Sequence, residues 1–250
     1  MKKILIIIAL FFISTSYSQV LISLVFGDDL NSQYIEFGLE GGLNVSNISN
    51  MESSDPNPGF NLGFYFDVIS KKNPHWMINT GVIVKSPMGA NKLPVYSLNN
   101  EQLDAAFEGG HVNRELRYFN VPILLKYKFD NNIFVKAGPQ ASLLAKAFDE
   151  FIKEVDGDKL RYKNNIRDRI HVVDAGLFFG AGYRLMGGNG MNLGIQYYLG
   201  LVPVMKGDEP KQYNRSLYVT LGIPIGKGKA AKKAAEKRAL QDGITPNGDQ

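Results

Sequence analysis

The feature that most restricts this chain is a period of two in side-chain polarity, which returns eight times over runs of about ten residues. In the first run Ile35, Phe37, Leu39, Leu43 and Val45 alternate with Glu36, Gly38, Glu40, Gly42 and Asn44. Later runs repeat it at Phe60–Val68, Trp76–Val84, Val121–Phe129, Ile133–Leu143, Val173–Tyr183, Met191–Leu199 and Leu217–Ile225. Successive strand side chains point to opposite faces, so each run predicts a strand with one face in an apolar medium and one in a polar interior.

The connections sharpen that expectation. Ser70–His75, Asp130–Asn132 and Met186–Gly190 are short, whereas 46–59, 86–119, 144–172 and 202–216 are long. Short turns at one end and long loops at the other predict an eight-stranded antiparallel up-and-down transmembrane β-barrel, with the turns periplasmic and the loops extracellular. In hydrocarbon an unpaired backbone group costs several kcal/mol, roughly, so a spanning sheet must close on itself.

The ends fit an exported chain. Lys2 and Lys3 precede an apolar stretch, Ile4–Ile13, and a small polar segment ending at Ser18. That stretch is too short to span a bilayer as a helix and reads as a signal peptide over residues 1–18. A lead segment covers 19–34, the barrel 35–226 and a basic periplasmic tail 227–250. Within the lead, Val20–Phe26 fits a short helix or an extra strand, and in the tail Ala230–Leu240 predicts a helix. With no cysteine there is no lipid-anchored N-terminus, disulfide framework or thiolate chemistry. The net charge of +4 sits at the two ends, leaving the body near −1, so nucleic acid is not an implied partner.

The inward parity set holds Glu36, Glu40, Asp67 and Asp174 with Lys85, Lys126, Lys128, Lys136 and Arg184. Nearly balanced signs predict a packed salt-bridge network in the lumen, and eight strands leave room for little else. Pro122, Pro139 and Pro224 fall inside runs and read as bulges or rim positions. Trp76, Tyr127, Phe129 and Tyr183 have outward parity at the short-turn end and predict an aromatic girdle at the membrane interface. Between Phe148–Val155 and Lys159–Ile166, Asp156-Gly157 predicts a hairpin with Gly157 at positive φ.

Three segments carry a resemblance: Tyr118–Phe129 (YFNVPILLKYKF), Phe134–Pro139 (FVKAGP) and Asp174–Tyr183 (DAGLFFGAGY). They resemble the PorT-like outer membrane protein beta-barrel family, the porin family of Bacteroidetes, over about residues 35–226. The resemblance implies an outer-membrane barrel, with a role in secretion for a few members, and carries no catalytic motif. The Lys-rich tail departs from it, since such barrels commonly stop at an aromatic residue.

The histidines His75, His111 and His171 have no nucleophile and orienting carboxylate at fixed spacing, so no catalytic residue is assigned. Nor is any metal site or cofactor, for there are no paired histidines and Asp156-Gly157-Asp158 lacks the rest of a calcium loop. Outer-membrane lipid is an expected partner, and the long loops offer a surface for an extracellular or envelope protein. The expectation is a non-enzymatic barrel with a structural or loop-mediated binding role. A narrow channel for small solutes is the alternative, and a lipid-acting enzyme using a rim histidine is a third class.

Overall fold

The structure is a computed structural model and describes residues 32, 34–51, 54–207 and 210–225. The expected signal peptide, Val20–Phe26 and the tail with its helix at Ala230–Leu240 lie outside the described residues. Ten strands are described: β1 (Ile35–Ile48), β2 (Asp55–Ile69), β3 (Trp76–Lys85), β4 (Pro87–Leu93), β5 (His111–Lys128), β6 (Ile133–Val155), β7 (Asp158–Asn165), β8 (Val173–Arg184), β9 (Asn192–Pro203) and β10 (Tyr213–Pro224). One helix, α1 (Glu101–Phe107), lies between β4 and β5.

Eight of the strands close a ring in the order β1, β2, β3, β5, β6, β8, β9, β10. Every neighbour is antiparallel, and β1 seals the ring by pairing Gly38–Ile48 with Asn214–Pro224 of β10. Close backbone approach is built into that seam. A methyl group on Gly42 would be driven into the Val219 carbonyl oxygen.

The wall is inside out by the standards of a water-soluble fold. Ile195 is 61% exposed and Val173 56%, whereas Asp67 and Asn61 are 1% exposed. Leaving large apolar side chains in water forgoes roughly 1.5–3 kcal/mol each, so this belt requires a hydrocarbon surround. On β8 it runs from Val173 to Tyr183. Ten steps of about 3.4 Å at a tilt near 40° give a height of about 26 Å, matching the band of roughly 25 Å in outer-membrane barrels.

The two remaining strands correct the expected loops. The stretches 86–119 and 144–172 hold β4, α1, β7 and the extensions of β5 and β6 rather than irregular chain. β4 continues the line of β3 and pairs with β5, from Pro87 opposite Arg117 to Leu93 opposite Val112. β7 pairs with β6 from Asp158 opposite Val155 to Asn165 opposite Phe148. Asp156 at φ 53° and Gly157 at φ 88° make the tight turn between them, as the Asp-Gly pair predicts.

Above the belt the polarity reverses. On β5 the outward residues change from Val121, Ile123 and Leu125 to Arg117, Glu115 and Asn113, while the inward ones change from Lys126 and Asn120 to Leu116 and Val112. Met88, Leu93, Val112, Leu116, Leu144, Phe151, Ile166, Ile170 and Met205 therefore share a buried apolar core at the long-loop end. The barrel carries a second, conventionally packed storey on top of the first.

Pro122 and Pro139 lie in mid-strand, not at bulges or the rim. The β3–β5 ladder skips Val121 and Pro122, the β5–β6 ladder skips Ile123 and Leu124, and Thr80 Oγ1 donates to the Pro122 carbonyl at 2.8 Å. Pro224 does end its strand, opposite Gly38.

Candidate functional site

Two regions gather the polar side chains, the lumen and the cap above it. At the short-turn end of the lumen Arg184 on β8 donates from Nη2 to Glu36 Oε2 on β1 at 2.6 Å. Tyr65 OH donates to the other Glu36 oxygen at 3.2 Å, and Asn192 Nδ2 donates to Tyr65 OH at 3.1 Å.

Beside this group, Lys126 Nζ lies 2.6 Å from Asp67 Oδ2, and Asn79 donates to Asp67 Oδ1 at 2.7 Å. Lys136 Nζ bridges Asn79 Oδ1 at 3.2 Å and Glu40 Oε2 at 3.6 Å. Gln196 donates to Glu40 at 3.3 Å and to Thr220 Oγ1 at 2.6 Å. Charges this deep persist because each is paired and hydrogen-bonded, since isolated ions here would cost several kcal/mol or more.

The next tier is apolar. Leu124, Phe178, Tyr198 and Tyr218 are fully buried, with Phe178 6.5 Å from the Tyr198 ring and 5.6 Å from the Tyr218 ring. Phe178, inward by strand parity, thus packs on aromatic rings. Between this layer and the charged tier the gap bounded by Glu40, Lys136 and Gln196 has a volume of about 10 Å³. That is room for about one water. Asp174 lies above the aromatic layer, buried, and accepts from Asn214 Nδ2 at 2.9 Å.

Six of the nine expected lumen residues thus meet as Glu36 with Arg184, Asp67 with Lys126 and Glu40 with Lys136. Asp174 is buried but stands apart from them. Lys85 is a correction. Gly63 pairs with Ile83 and Leu62 with Lys85, so Val84 is an extra residue. This bulge turns Lys85 to the outer surface, its Nζ 5.6 Å from the Phe60 ring. Lys128 is half-buried at the last position of β5, beyond the paired tiers, where the strand gives way to the turn.

The four outward aromatics sit at the short-turn rim. Trp76 and Phe129 each lie 4.8 Å from the Tyr127 ring, and Tyr183 is opposite Ile133, the residue to which Phe129 hydrogen-bonds. His75 stacks on Tyr127 at 5.7 Å and its Nδ1 is 2.7 Å from the Lys128 carbonyl. Among the described residues no three His, Asp or Glu side chains form a metal-sized cluster.

The cap holds functional candidates that the sequence reading missed. Arg114 on β5 donates from Nε and Nη2 to the two oxygens of Asp149 on β6, both at 2.8 Å and both buried. Tyr96 OH donates to Asp149 at 2.9 Å, Asn164 donates to Tyr96 OH at 3.1 Å, and the Arg169 guanidinium lies 5.3 Å from the Tyr96 ring. Burial, and then the Asp149 carboxylate beside it, push the Tyr96 phenol up to about 12. Asn100 caps α1 by accepting from Gln102 and Leu103 N–H. Asp104 accepts from Ser97 Oγ at 2.6 Å and from Leu98 N–H at 2.7 Å, and these bonds hold its carboxyl below the usual range. The segment before α1 is thereby fixed against it, and an apolar cleft of about 350 Å³ opens between Val95, Leu98, Leu103, Phe107 and Phe151.

One signal for this region was present in the sequence. Val112, Leu116 and Tyr118 alternate with Asn113, Glu115 and Arg117, the strand pattern of a water-facing sheet. Its outward face is polar, so it lacks the apolar outward parity that marks a lipid-facing run.

Residues 26–206 match the family described as outer membrane protein beta-barrel domain. The chain belongs to that family. It is an outer-membrane barrel, and the apolar belt is the surface it turns to lipid. No curated protein matches it. Among solved structures it is similar to Ail, the attachment invasion locus protein of Yersinia pestis, at 11% identity and a TM-score of 0.39, over 77% of this chain and 99% of that one. It is also similar to Neisserial surface protein A (11%, TM-score 0.36, 77% and 96%). The outer membrane protein OprG of Pseudomonas aeruginosa is similar at 10% identity and a TM-score of 0.36, over 78% of this chain and 96% of that one. Likenesses this distant say nothing of what the barrel binds.

Proposed function

We propose that this outer-membrane barrel is a non-enzymatic binding module, in which a closed lumen supports an ordered extracellular cap that receives a protein partner. The observation that carries the reading is the contrast between the two ends of the interior. The lumen is filled by three ion pairs and an aromatic layer, leaving a gap of only about 10 Å³. The cap instead opens an apolar cleft of about 350 Å³ to water. That volume lies at the lower end of ligand pockets and suits one or two apolar side chains of a partner. The resemblance of Tyr118–Phe129 and Asp174–Tyr183 to the PorT-like barrels of Bacteroidetes supports placing the chain in that subgroup, with a partner in the cell envelope.

Two measurements test this. In planar bilayers the purified barrel should show no steady conductance, and a persistent open level would replace the binding module with the narrow channel. A photo-crosslinking residue at Leu103 in the cleft should form a discrete protein adduct in cells. The same residue at Lys159, beside the hairpin tip, should not. Equal labelling from both positions, or none from Leu103, would overturn the cleft as the receiving surface.

A further inference from the structure

The outer wall is interrupted where β3 gives way to β4, at the level where the belt meets water. The β3–β5 ladder ends at Ile83 opposite Asn120, and the β4–β5 ladder begins at Pro87 opposite Arg117. Between them a groove of about 400 Å³ is lined by Val84, Lys85, Arg117, Phe119, Lys146 and Glu115. Its floor is closed by Ser86, whose Oγ is 3.0 Å from Tyr218 OH, so it does not communicate freely with the lumen.

Two irregularities aim cations at this groove. The bulge at Val84 turns Lys85 outward. A second register shift sets Arg117 opposite Lys146 and Tyr118 opposite Leu144, which makes Ala145 the extra residue and leaves Lys146 on the outer surface. Bulges re-aim side chains in this way. Arg117 comes from the intervening strand and holds Glu115 at 2.6 Å. Three cations against one carboxylate leave the groove with a net charge of +2. Immediately below, Val84, Phe119, Leu143 and Phe60 are exposed apolar side chains of the belt.

A positive groove whose lower lip is apolar, at the boundary between hydrocarbon and water, matches an amphiphile that is anionic at its head. We propose that the groove seats the phosphate-bearing headgroup of an outer-leaflet lipid, with Lys85, Arg117 and Lys146 around the phosphate and the acyl chains lying on Phe119 and Leu143. A cation near a membrane surface contributes about fivefold to the affinity for an anionic lipid, so the three together contribute about a hundredfold.

The full-length barrel in phosphatidylcholine nanodiscs is titrated with diphosphoryl lipid A, and bound lipid is counted by native mass spectrometry. One lipid should bind per barrel, more weakly as salt rises. The K85Q/R117Q/K146Q variant should lose about a hundredfold, and fully dephosphorylated lipid A should bind comparably weakly. The variant K153Q/K159Q/K163Q, with the same charge change on the β6–β7 hairpin, should bind as wild type. Equal binding by the groove variant, equal binding of dephosphorylated lipid, or an equal loss in the hairpin variant would each overturn the proposal. Displacement of the lipid by inorganic phosphate at matching concentration would also overturn it, because the groove would then be a free-phosphate site. Should the triple variant not assemble, Lys85→Gln and Lys146→Gln singly should each lose about fivefold, and wild-type affinity in both would refute it.

Discussion

Lys126→Met is the sharpest test of how the lumen is held. Lys126 Nζ lies 2.6 Å from Asp67, and both side chains are almost fully buried. At an effective dielectric constant near 20 that separation corresponds to an attraction of about 6 kcal/mol, set against desolvation of several kcal/mol for each ion. The pair as a whole therefore contributes little net stability. Removing the ammonium alone leaves the Asp67 carboxylate buried with only the Asn79 amide and the more distant Lys136 to offset it. Breaking one side of such a pair costs about 3–5 kcal/mol.

The double variant K126M/D67N removes both charges and preserves shape, since an amide oxygen at position 67 still accepts from Asn79. It should recover more than half of that loss. Urea unfolding in phospholipid vesicles reads the outcome directly, because Trp76 is the single tryptophan and sits at the short-turn rim. A K126M variant within about 1 kcal/mol of wild type would refute the reasoning. So would a double variant as unstable as the two singles combined.

Two more substitutions probe the seam and the cap. Gly42→Ala drives a methyl into the Val219 carbonyl and should cost roughly 1–3 kcal/mol, whereas Gly41→Ala, whose nearest neighbours lie at 3.4 Å, should fold as wild type; heat-modifiable migration on gels separates the two. Tyr96 is neutral in the folded cap up to about 12, above the ordinary phenol near 10, so its stabilisation is fully present below pH 10 and is lost as pH rises toward 12. The difference between wild-type and Tyr96→Phe tyrosinate absorbance titrations should centre near 12, and a midpoint near 10 would show the phenol to be free.

The sequence made the lower storey legible because lipid imposes a single rule on it. Every outward residue must be apolar there, so β1, β2, β3, β8, β9 and β10 could be read from alternation alone, as could the inward parity of Glu36, Glu40 and Asp67, though not which cation each one meets. Lys85 escaped that reading because a bulge is a one-residue event that leaves no compositional trace between Ile83 and Ser86. The cap escaped it for a different reason. Arg114 and Asp149 lie 35 residues apart, and nothing in either neighbourhood specifies the partner. Their meeting depends on β5 and β6 extending in register well beyond the membrane.

That extension poses a parity problem. A strand that leaves the bilayer must exchange its apolar outer face for a polar one. β5 does so by changing residue types at constant parity, Phe119 and Val121 outward below and Arg117 and Glu115 outward above. β6 does so with an extra residue: Ser142 and Leu144 face inward below the bulge, and Ala147, Asp149 and Phe151 face inward above it. Deleting Ala145 removes the extra residue and still leaves Lys146 outward and Asp149 inward. The barrel and the Arg114–Asp149 pair should survive this deletion, with a loss within about 1–2 kcal/mol. Deleting Ala147 offers no such escape. Either the bulge persists and turns Asp149 and Phe151 outward, leaving Arg114 buried without its carboxylate, or it relaxes and forces Lys146 into the apolar core. Each outcome strands a charge and should cost about 3–5 kcal/mol, seen as cap proteolysis on a barrel that still resists heat and detergent. Equal protease resistance in the two deletion variants would show that β6 does not use the bulge to keep its register.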